Sequence, residues 1–175
     1  VGTGAPKGKD LNIPGREEAS KNIHIGIDFL ASVAFEHVSK IGKKVIVLGG
    51  GNTAMDCCRT AIRLGGKQVG VYVRSPKVDM KASDWEIEEA EMENIPIFEN
   101  HVPKEFLIKD GKLRGMLFEK VTAHYENNKR KLIPTGEPLV EVECDDVLMA
   151  IGQDNAFEWI EKDLGIEFGE WDMPK

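Results

Sequence analysis

A glycine-rich turn that follows a short apolar run has the residue types and spacing to hold a diphosphate group. Gly49 and Gly51 come directly after the run VIVL, and Ala54 lies where a helical pattern begins. In a strand–turn–helix unit, the first glycine permits a tight turn, the second lets the backbone approach a pyrophosphate, and a small third residue lets the helix pack close to the strand. The amides and dipole of the helix N-terminus then stabilise the phosphates. The pattern predicts a dinucleotide site, with Asn52 and Thr53 as additional side-chain donors; a glycine turn that only packs is the alternative.

The end of the next apolar strand carries a base where an NAD site carries an acid. That strand is followed by Arg74 and Ser75, and no acid occurs before Asp79. A carboxylate there would bind the ribose 2′-hydroxyl of NAD, whereas the planar guanidinium of Arg74 suits a 2′-phosphate, to which Ser75 can donate one more hydrogen bond. Lys77 or Lys81 could neutralise the second phosphate charge; the alternative for both is a solvated loop cation. The arrangement predicts NADP(H).

Alternating helices and strands must position these residues. Apolar residues at helical spacing, glycine stops and a Ser83-to-Glu86 capping box define the helices, and short apolar runs define the strands. The order predicts a parallel sheet with right-handed crossovers. The predicted elements are a helix over residues 26–40 stopped by Gly42, a strand at 45–48, a helix over 55–64 stopped by Gly65 and Gly66, a strand at 69–73, a helix from Ser83 to about residue 94, and a strand at 95–98.

The second half of the chain changes to an antiparallel pattern. Asp110 and Gly111 separate two apolar runs, which is a hairpin signal. The predicted fold is therefore α/β, a Rossmann-like parallel sheet with an inserted antiparallel β-meander. The meander strands are expected at residues 106–108, 113–123 and 139–142, before a last parallel strand at 146–151. We expect a lead-in segment at residues 1–25, the NADP(H)-binding domain at 26–155, and an apolar C-terminal tail at 156–175 that docks on another body.

The composition excludes several functional classes. The chain has 175 residues with a net charge of −7, and 41% of them are hydrophobic, as in an ordinary globular domain. No apolar run approaches the roughly 20 residues of a membrane helix, and an acidic balance argues against a nucleic-acid binder. The acids concentrate in residues 83–99, which predicts a solvated acidic helix face.

The cysteines and histidines indicate neither a metal site nor a redox dithiol. Cys57, Cys58 and Cys144 form no C-x-x-C pair and no metal-ligand spacing, and the four histidines are scattered. Free thiols without a secretion signal predict a reducing compartment, and so a cytoplasmic location. No acid–base motif of a self-sufficient dehydrogenase is recognisable, so we assign no catalytic residue within the chain.

Several segments in order resemble the small (beta) subunit of NADPH-dependent glutamate synthase. This family is similar to the N-terminal half of dihydropyrimidine dehydrogenase and to ferredoxin–NADP reductase-type flavoprotein subunits. The resemblance covers about residues 2–155. Its motifs are GTGAP at 2–6, LNIPG at 11–15, DFL at 28–30, VIVLGGGNTAMD at 45–56, VYVR at 71–74 and DVLMAIGQ at 146–153.

The resemblance implies an NADPH domain inserted into an FAD domain, with residues 2–6 leaving the FAD domain and residues 150–153 returning to it. The family's N-terminal iron–sulfur cysteines, its FAD glycine motif and its later Gly-Asp flavin segment are missing, so the chain resembles an excised NADPH domain. Ser75 stands where the family often has a second basic residue. The site residues that the resemblance implies are Gly50, Gly51, Asn52 and Thr53 for the pyrophosphate, Arg74, Ser75 and Lys81 for the 2′-phosphate, and Ala150, Ile151 and Gly152 on the nicotinamide side.

The implied function is to bind NADPH and pass its hydride to FAD. Electrons would continue to iron–sulfur centres or to a partner such as a large catalytic subunit. FAD belongs to the parent protein and is not expected in this chain alone, and iron–sulfur clusters would lie in missing sequence or in partners. We expect little turnover from the isolated chain. The alternative is a non-catalytic nucleotide-binding or interaction module that docks through its acidic helix and apolar tail.

Overall fold

A five-stranded parallel sheet lies at the centre of the structure, a computed structural model that describes residues 6–127 and 129–156. Its strands lie in the order β2 (Ile23–Ile25), β10 (Asp146–Met149), β3 (Lys44–Leu48), β4 (Gln68–Tyr72) and β5 (Ile97–Phe98), and all neighbouring pairs are parallel. The predicted parallel sheet is therefore confirmed. The strands are β1 (Lys7–Gly8), β2 (Ile23–Ile25), β3 (Lys44–Leu48), β4 (Gln68–Tyr72), β5 (Ile97–Phe98), β6 (His101–Lys109), β7 (Lys112–Glu126), β8 (Lys129–Pro134), β9 (Val140–Glu143), β10 (Asp146–Met149) and β11 (Gln153–Asp154). The helices are α1 (Gly26–Ala34), α2 (Asn52–Arg63) and α3 (Asp84–Met92), with 3-10 turns at Ser20–Asn22 and Lys77–Asp79.

Strand β3 is buried on both faces, as its continuous apolar run predicts. Val45 and Val47 pack into a core shared with the three helices, whereas Ile46 and Leu48 pack into a second core beneath the antiparallel strands. The helix side is filled by small residues of α2, including Ala54 and Ala61, which are fully buried. The two cores hold the sheet between a helical layer and a β layer.

The β layer is the predicted meander. Strand β7 pairs antiparallel with β6, β8 and β9, and its hairpin to β6 turns at Asp110 and Gly111, whose φ angles of 52° and 71° are the left-handed conformation that this dipeptide favours. Strand β8 was not predicted. Its sequence KRKLIP is mostly polar and exposed, so no apolar alternation marks it.

Helix α1 and the two ends of the sheet differ from the predicted bounds. The helix ends at Ala34 rather than at residue 40, and Glu36 follows in the left-handed conformation with φ 59°. Val38 still packs against the helix-side core from a non-helical segment, which explains why the apolar pattern continues past the helix end. Strand β2 is the end of the expected lead-in segment and pairs with β10. The last parallel strand ends at Met149, two residues before its predicted end.

The acidic helix face is not simply solvated, which corrects the prediction. Arg59 of α2 forms ion pairs with Glu86 and Glu89 of α3 and with Glu93, the C-cap of α3, and Glu86 is only 8% exposed. Lys77 pairs with Glu91. Much of the negative charge of α3 is therefore compensated within the fold and helps to hold α3 on α2.

The predicted capping box of α3 does not form. Ser83 is the N-cap residue, but its side chain makes no capping hydrogen bond, and its Oγ is buried without a partner among the described residues. Glu86 turns to Arg59 instead of to the backbone N–H of Ser83. The carboxamide of Asn52 accepts a hydrogen bond from that N–H, at 3.0 Å.

Two predictions concern residues outside the described part of the chain: most of the apolar tail, and the start of the lead-in at residues 2–5. Within the described residues, no helix is long and apolar enough to cross a bilayer. The same residues contain no group of three or more potential metal ligands.

Candidate functional site

A cleft of about 690 Å³ opens at the carboxyl ends of β3, β4 and β10. Because these strands are parallel neighbours, the segments that follow them meet at one edge of the sheet, the usual ligand position in open α/β folds. Ten of the twelve predicted site residues line this cleft: Gly49, Gly50, Gly51, Thr53, Arg74, Ser75, Lys81, Ala150, Ile151 and Gly152.

The glycine turn at the centre of the cleft needs glycine for two different reasons. Gly49 has φ 128°, and a Cβ there would lie 2.1 Å from the carbonyl oxygen of Ala150, so the backbone after β3 touches the backbone after β10. Gly51 has ordinary extended angles as the N-cap of α2, and a Cβ there would meet nothing within 4 Å. Gly49 is required by the fold, whereas Gly51 leaves space open beside the first amides of α2, which have no partner within the helix.

The other two predicted residues, Asn52 and Ala54, do not line the cleft. Ala54 is fully buried under the glycine turn, in the position that close packing of α2 on the sheet requires. Asn52 does not line the cleft; its Oδ1 accepts the hydrogen bond from Ser83 described above. Thr53 does face the cleft, where its Oγ1 lies 3.5 Å from Nε2 of Gln153.

One end of the cleft is basic. Arg74 and Lys81 are exposed there, and neither side chain forms a hydrogen bond or ion pair with another described residue. Ser75 is buried, and its carbonyl accepts a hydrogen bond from the N–H of Asn100. Lys77 does not belong to this group, because it pairs with Glu91 and lies outside the cleft lining. Of the two candidate lysines, the structure brings Lys81 to Arg74.

The segment that carries Lys81 is fixed to the glycine turn. The backbone N–H groups of Lys81 and Ala82 both donate to the carbonyl oxygen of Gly50, at 2.8 and 3.0 Å. The side chain of Met80 packs over Gly50, against Val73. The basic end and the glycine turn are therefore parts of one rigid backbone arrangement.

The acids at the cleft are neutralised by their own partners. Asp10 makes a two-bond pair with Arg16, and this hydrogen bonding lowers the pKa of the Asp10 carboxyl. Hydrogen bonds from the Tyr125 hydroxyl and from Arg130 likewise lower the pKa of Asp79. Both carboxyls are ionised and paired at neutral pH, and neither Arg74 nor Lys81 has an anionic partner among the described residues.

Sequence reasoning missed Arg130, which also lines the cleft. It lies on β8, and its Nη1 donates to Oδ2 of Asp79 at 2.9 Å. No sequence signal could have placed it there, because its strand has no apolar alternation and the contact joins a meander hairpin to a loop after β4.

The other end of the cleft is formed by the segments at the two limits of the described chain. Strands β1 and β11 pair antiparallel, and the N–H of Lys9 donates to the carbonyl of Gly152 at 2.9 Å. Ile25, Ile27 and Met149 give this end an apolar floor. The lining of the cleft therefore suits a long molecule that has an anionic group at one end and an apolar group at the other.

The profile of the family described as pyridine nucleotide-disulphide oxidoreductase matches residues 1–174. The chain belongs to this family. It is 32% identical over 172 residues to the NADPH-Fe(3+) oxidoreductase subunit beta of Geobacter sulfurreducens, covering 96% of this chain and 26% of that protein. It is 31% identical to the glutamate synthase [NADPH] small chain of Halomonas elongata, covering 97% of this chain and 38% of that one. The predicted resemblance to glutamate synthase small subunits is confirmed.

A solved structure of the same fold is FprA of Mycobacterium tuberculosis in complex with NADPH, with a TM-score of 0.74 at 17% identity. The match covers 96% of this chain and 51% of that chain. This member of the pyridine nucleotide-disulphide oxidoreductase family therefore spans about half the length of FprA. It spans about a quarter of the length of the Geobacter relative and about two-fifths of the length of the Halomonas relative.

The cysteines of this family member are not reactive thiols. Cys57, Cys58 and Cys144 are free and buried, and burial raises the pKa of each thiol to about 12. Since the thiolate is the nucleophile, none of them is available for disulphide exchange at neutral pH.

Proposed function

We propose that this chain is the NADPH-binding part of a larger flavoprotein oxidoreductase of the glutamate synthase small-subunit type. In this proposal residues 26–155 form the nucleotide-binding domain, and the lead-in and the tail connect it to an FAD domain and to further parts of the parent protein. The domain holds NADPH so that hydride can pass to FAD, and electrons then continue to iron–sulfur centres or a partner subunit. The thiols suit a reducing, cytoplasmic location.

One observation carries the proposal: the glycine turn and two cations without partners among the described residues share one cleft. The open space at Gly51 and the amides of α2 fit a pyrophosphate. Arg74 follows β4, where the adenosine ribose binds in this fold class, and Lys81 lines the same cleft. Among the described residues of the lining, the carboxylates of Asp10 and Asp79 are both paired with arginines, so neither is left to favour NAD. A 2′-phosphate fits these residues better than a 2′-hydroxyl.

The chain's own residues bind and orient the coenzyme. Bound NADPH would supply the hydride. The glycine turn would hold its diphosphate, the basic end would hold its adenosine, and the segment after β10 would align the nicotinamide beside Ala150 and Gly152. The buried thiols explain why we assign no redox step to the protein itself.

The names of the relatives support this reading and also limit it. The Geobacter relative is named for reduction of Fe(3+) and the Halomonas relative for glutamate synthesis, and both names contain NADPH. What they share is the electron donor, not the final acceptor. The proposal therefore specifies NADPH and flavin, and assigns the terminal acceptor to the rest of the parent protein.

Separate titrations of NADPH and NADH test the coenzyme. We expect NADPH to bind more tightly than NADH. The substitution Arg74→Gln should lower the affinity for NADPH at least tenfold and change the affinity for NADH less than twofold. The matched control is Lys67→Gln, which removes an exposed cation at the other end of β4 and should change neither affinity. If the wild-type chain binds neither nucleotide, the proposal fails and the non-catalytic module remains.

A turnover assay tests the division of labour. The isolated chain, freed of flavin, should show no steady-state oxidation of NADPH above the buffer rate, because the acceptor lies outside it. Sustained NADPH oxidation by the flavin-free chain would contradict this part of the proposal while leaving coenzyme binding intact.

A further inference from the structure

The β7–β8 hairpin brings a third cation to the basic end of the cleft. Arg130 lines the same cleft as Arg74 and Lys81, although it belongs to the meander layer rather than to the parallel sheet. Its guanidinium is held by Asp79, the neighbour of Met80 in the segment that crosses the glycine turn. The hairpin thus contributes a guanidinium from the meander layer to the lining of the cleft.

The 2′-phosphate of the proposed ligand can use more guanidinium N–H donors than the end of β4 supplies. A phosphomonoester carries close to two negative charges at neutral pH. The end of β4 offers one guanidinium, at Arg74, because the next residue is the buried, uncharged Ser75. Lys81 adds a point charge, which lacks the planar fork that binds two phosphate oxygens at once.

Resting on the proposed function, we propose that Arg130 is a specificity-determining residue that binds the 2′-phosphate of NADPH and so replaces the base that Ser75 does not provide. The hydrogen bond to Asp79 uses one of the five N–H donors of the guanidinium, which leaves other donors available to a ligand. The side chain is 30% exposed, so it is accessible to a ligand and is also packed enough to keep its place.

Asp79 acts as the positioning residue for Arg130. Its carboxylate receives both the Arg130 guanidinium and the Tyr125 hydroxyl, two groups that pair across the same hairpin. These two hydrogen bonds keep Asp79 ionised, because they lower its pKa. The guanidinium is therefore held in place before the ligand arrives, and less side-chain entropy is lost on binding.

The test compares ligand pairs that differ only in the 2′-phosphate. Affinities of NADPH and NADH, and of 2′,5′-ADP and 5′-AMP, are measured by calorimetry for the wild-type chain, Arg130→Gln and Arg130→Lys. Arg130→Gln should weaken NADPH and 2′,5′-ADP about tenfold and leave NADH and 5′-AMP within twofold. Arg130→Lys, which keeps the charge without the fork, should recover part of the loss. Added salt should reduce the difference in NADPH affinity between the wild-type chain and Arg130→Gln.

Lys131→Gln is the matched control. Lys131 follows Arg130 on the same exposed strand but does not line the cleft, so all four affinities should stay at the wild-type values. Unchanged NADPH affinity in Arg130→Gln would overturn the inference, and so would an equal loss for both members of each pair, which would show that Arg130 only supports the hairpin. If Arg74→Gln still abolishes the NADPH preference in that case, the proposed function stands without this inference.

Discussion

The side-chain oxygen of Asn52 accepts a hydrogen bond from the backbone N–H of Ser83, at 3.0 Å. Asn52 is the first residue of α2, and Ser83 is the N-cap of α3. The bond therefore joins the starts of two helices. It lies directly after Lys81 and Ala82, whose backbone N–H groups both donate to the carbonyl oxygen of Gly50. Three hydrogen bonds thus fix the position of Lys81 relative to the glycine turn.

Loss of the Asn52 carboxamide should loosen that segment without unfolding the protein. Asn52→Ala removes the acceptor of the Ser83 N–H, and we expect about 1 kcal/mol of lost stability and a weaker preference for NADPH over NADH. Hydrogen exchange of the Ser83 amide measures the local effect directly and should accelerate. Asn12→Ala, at an exposed loop position, is the control. Wild-type protection of the Ser83 amide in Asn52→Ala would contradict the role given to this bond.

Alanine substitutions at Gly49 and Gly51 should separate folding from binding. Gly49→Ala forces a side chain into the left-handed region and against the Ala150 carbonyl, so we expect a loss of about 3 kcal/mol or more in the free energy of unfolding. Gly51→Ala meets no atom within 4 Å, and its stability should stay within about 1 kcal/mol of wild type. The same methyl group occupies the space proposed for the pyrophosphate, so NADPH affinity should fall at least tenfold. Urea unfolding together with NADPH titration measures both effects; equal stability losses in the two variants would refute the distinction.

A buried carboxylate at the opposite end of the sheet should govern stability in acid. Asp146 accepts hydrogen bonds from Asn22, His24 and the N–H of Gly42. Burial alone would raise the pKa of Asp146, but these three hydrogen bonds outweigh it and the pKa is lowered below 3.8. Because the unfolded chain then binds the proton more readily, the stability due to ionised Asp146 is complete above about pH 4 and is lost as the pH falls through the lower, folded-state pKa.

Asp146→Asn should therefore destabilise the protein at neutral pH by about 1–3 kcal/mol and flatten its loss of stability below pH 4. Urea unfolding at a series of pH values measures both effects. Asp110→Asn, at the exposed hairpin turn, is the matched control and should keep the wild-type pH profile. An Asp146→Asn profile parallel to wild type throughout the acid range would show that this carboxyl does not contribute the predicted linkage.

The three thiols should be unreactive in the native protein. Cys57, Cys58 and Cys144 are at most 3% exposed, and burial raises the pKa of each thiol to about 12. An aromatic disulphide reagent at pH 8 should label almost none of them in the folded chain and all three in guanidinium chloride. Rapid labelling of any thiol in the folded chain would mean that it is accessible as a thiolate, which the structure does not allow.

The sequence was most informative where local chemistry decides the structure. The apolar run of β3, the glycine turn and the Asp110–Gly111 hairpin were predicted correctly, because each carries a signal in its local sequence. Ten predicted site residues also lie together, because parallel strands bring their carboxyl ends to one edge.

The errors arose where distant residues decide. Glu86 has the spacing of a capping-box residue, but Arg59 of another helix pairs with it. Arg130 lies on a polar strand that exists because β7 is long enough to pair with it, and no periodicity in KRKLIP indicates a strand. Lys77 and Lys81 look equivalent in sequence, and the position of Glu91 on α3 separates them.

The aromatic stack beneath the basic end has a consequence for how the coenzyme would be selected. Tyr72 of β4 stacks on Phe118 of β7, with ring centroids 4.6 Å apart, and also on Phe98 of β5. The stacked rings therefore connect β4, which precedes Arg74, to β7, which pairs with the strand that carries Arg130. In the proposed site, Arg74 and Arg130 both line the cleft but belong to these two different layers. Engineering the domain toward NADH would accordingly require changes in both layers, since a substitution after β4 alone leaves Arg130 in place.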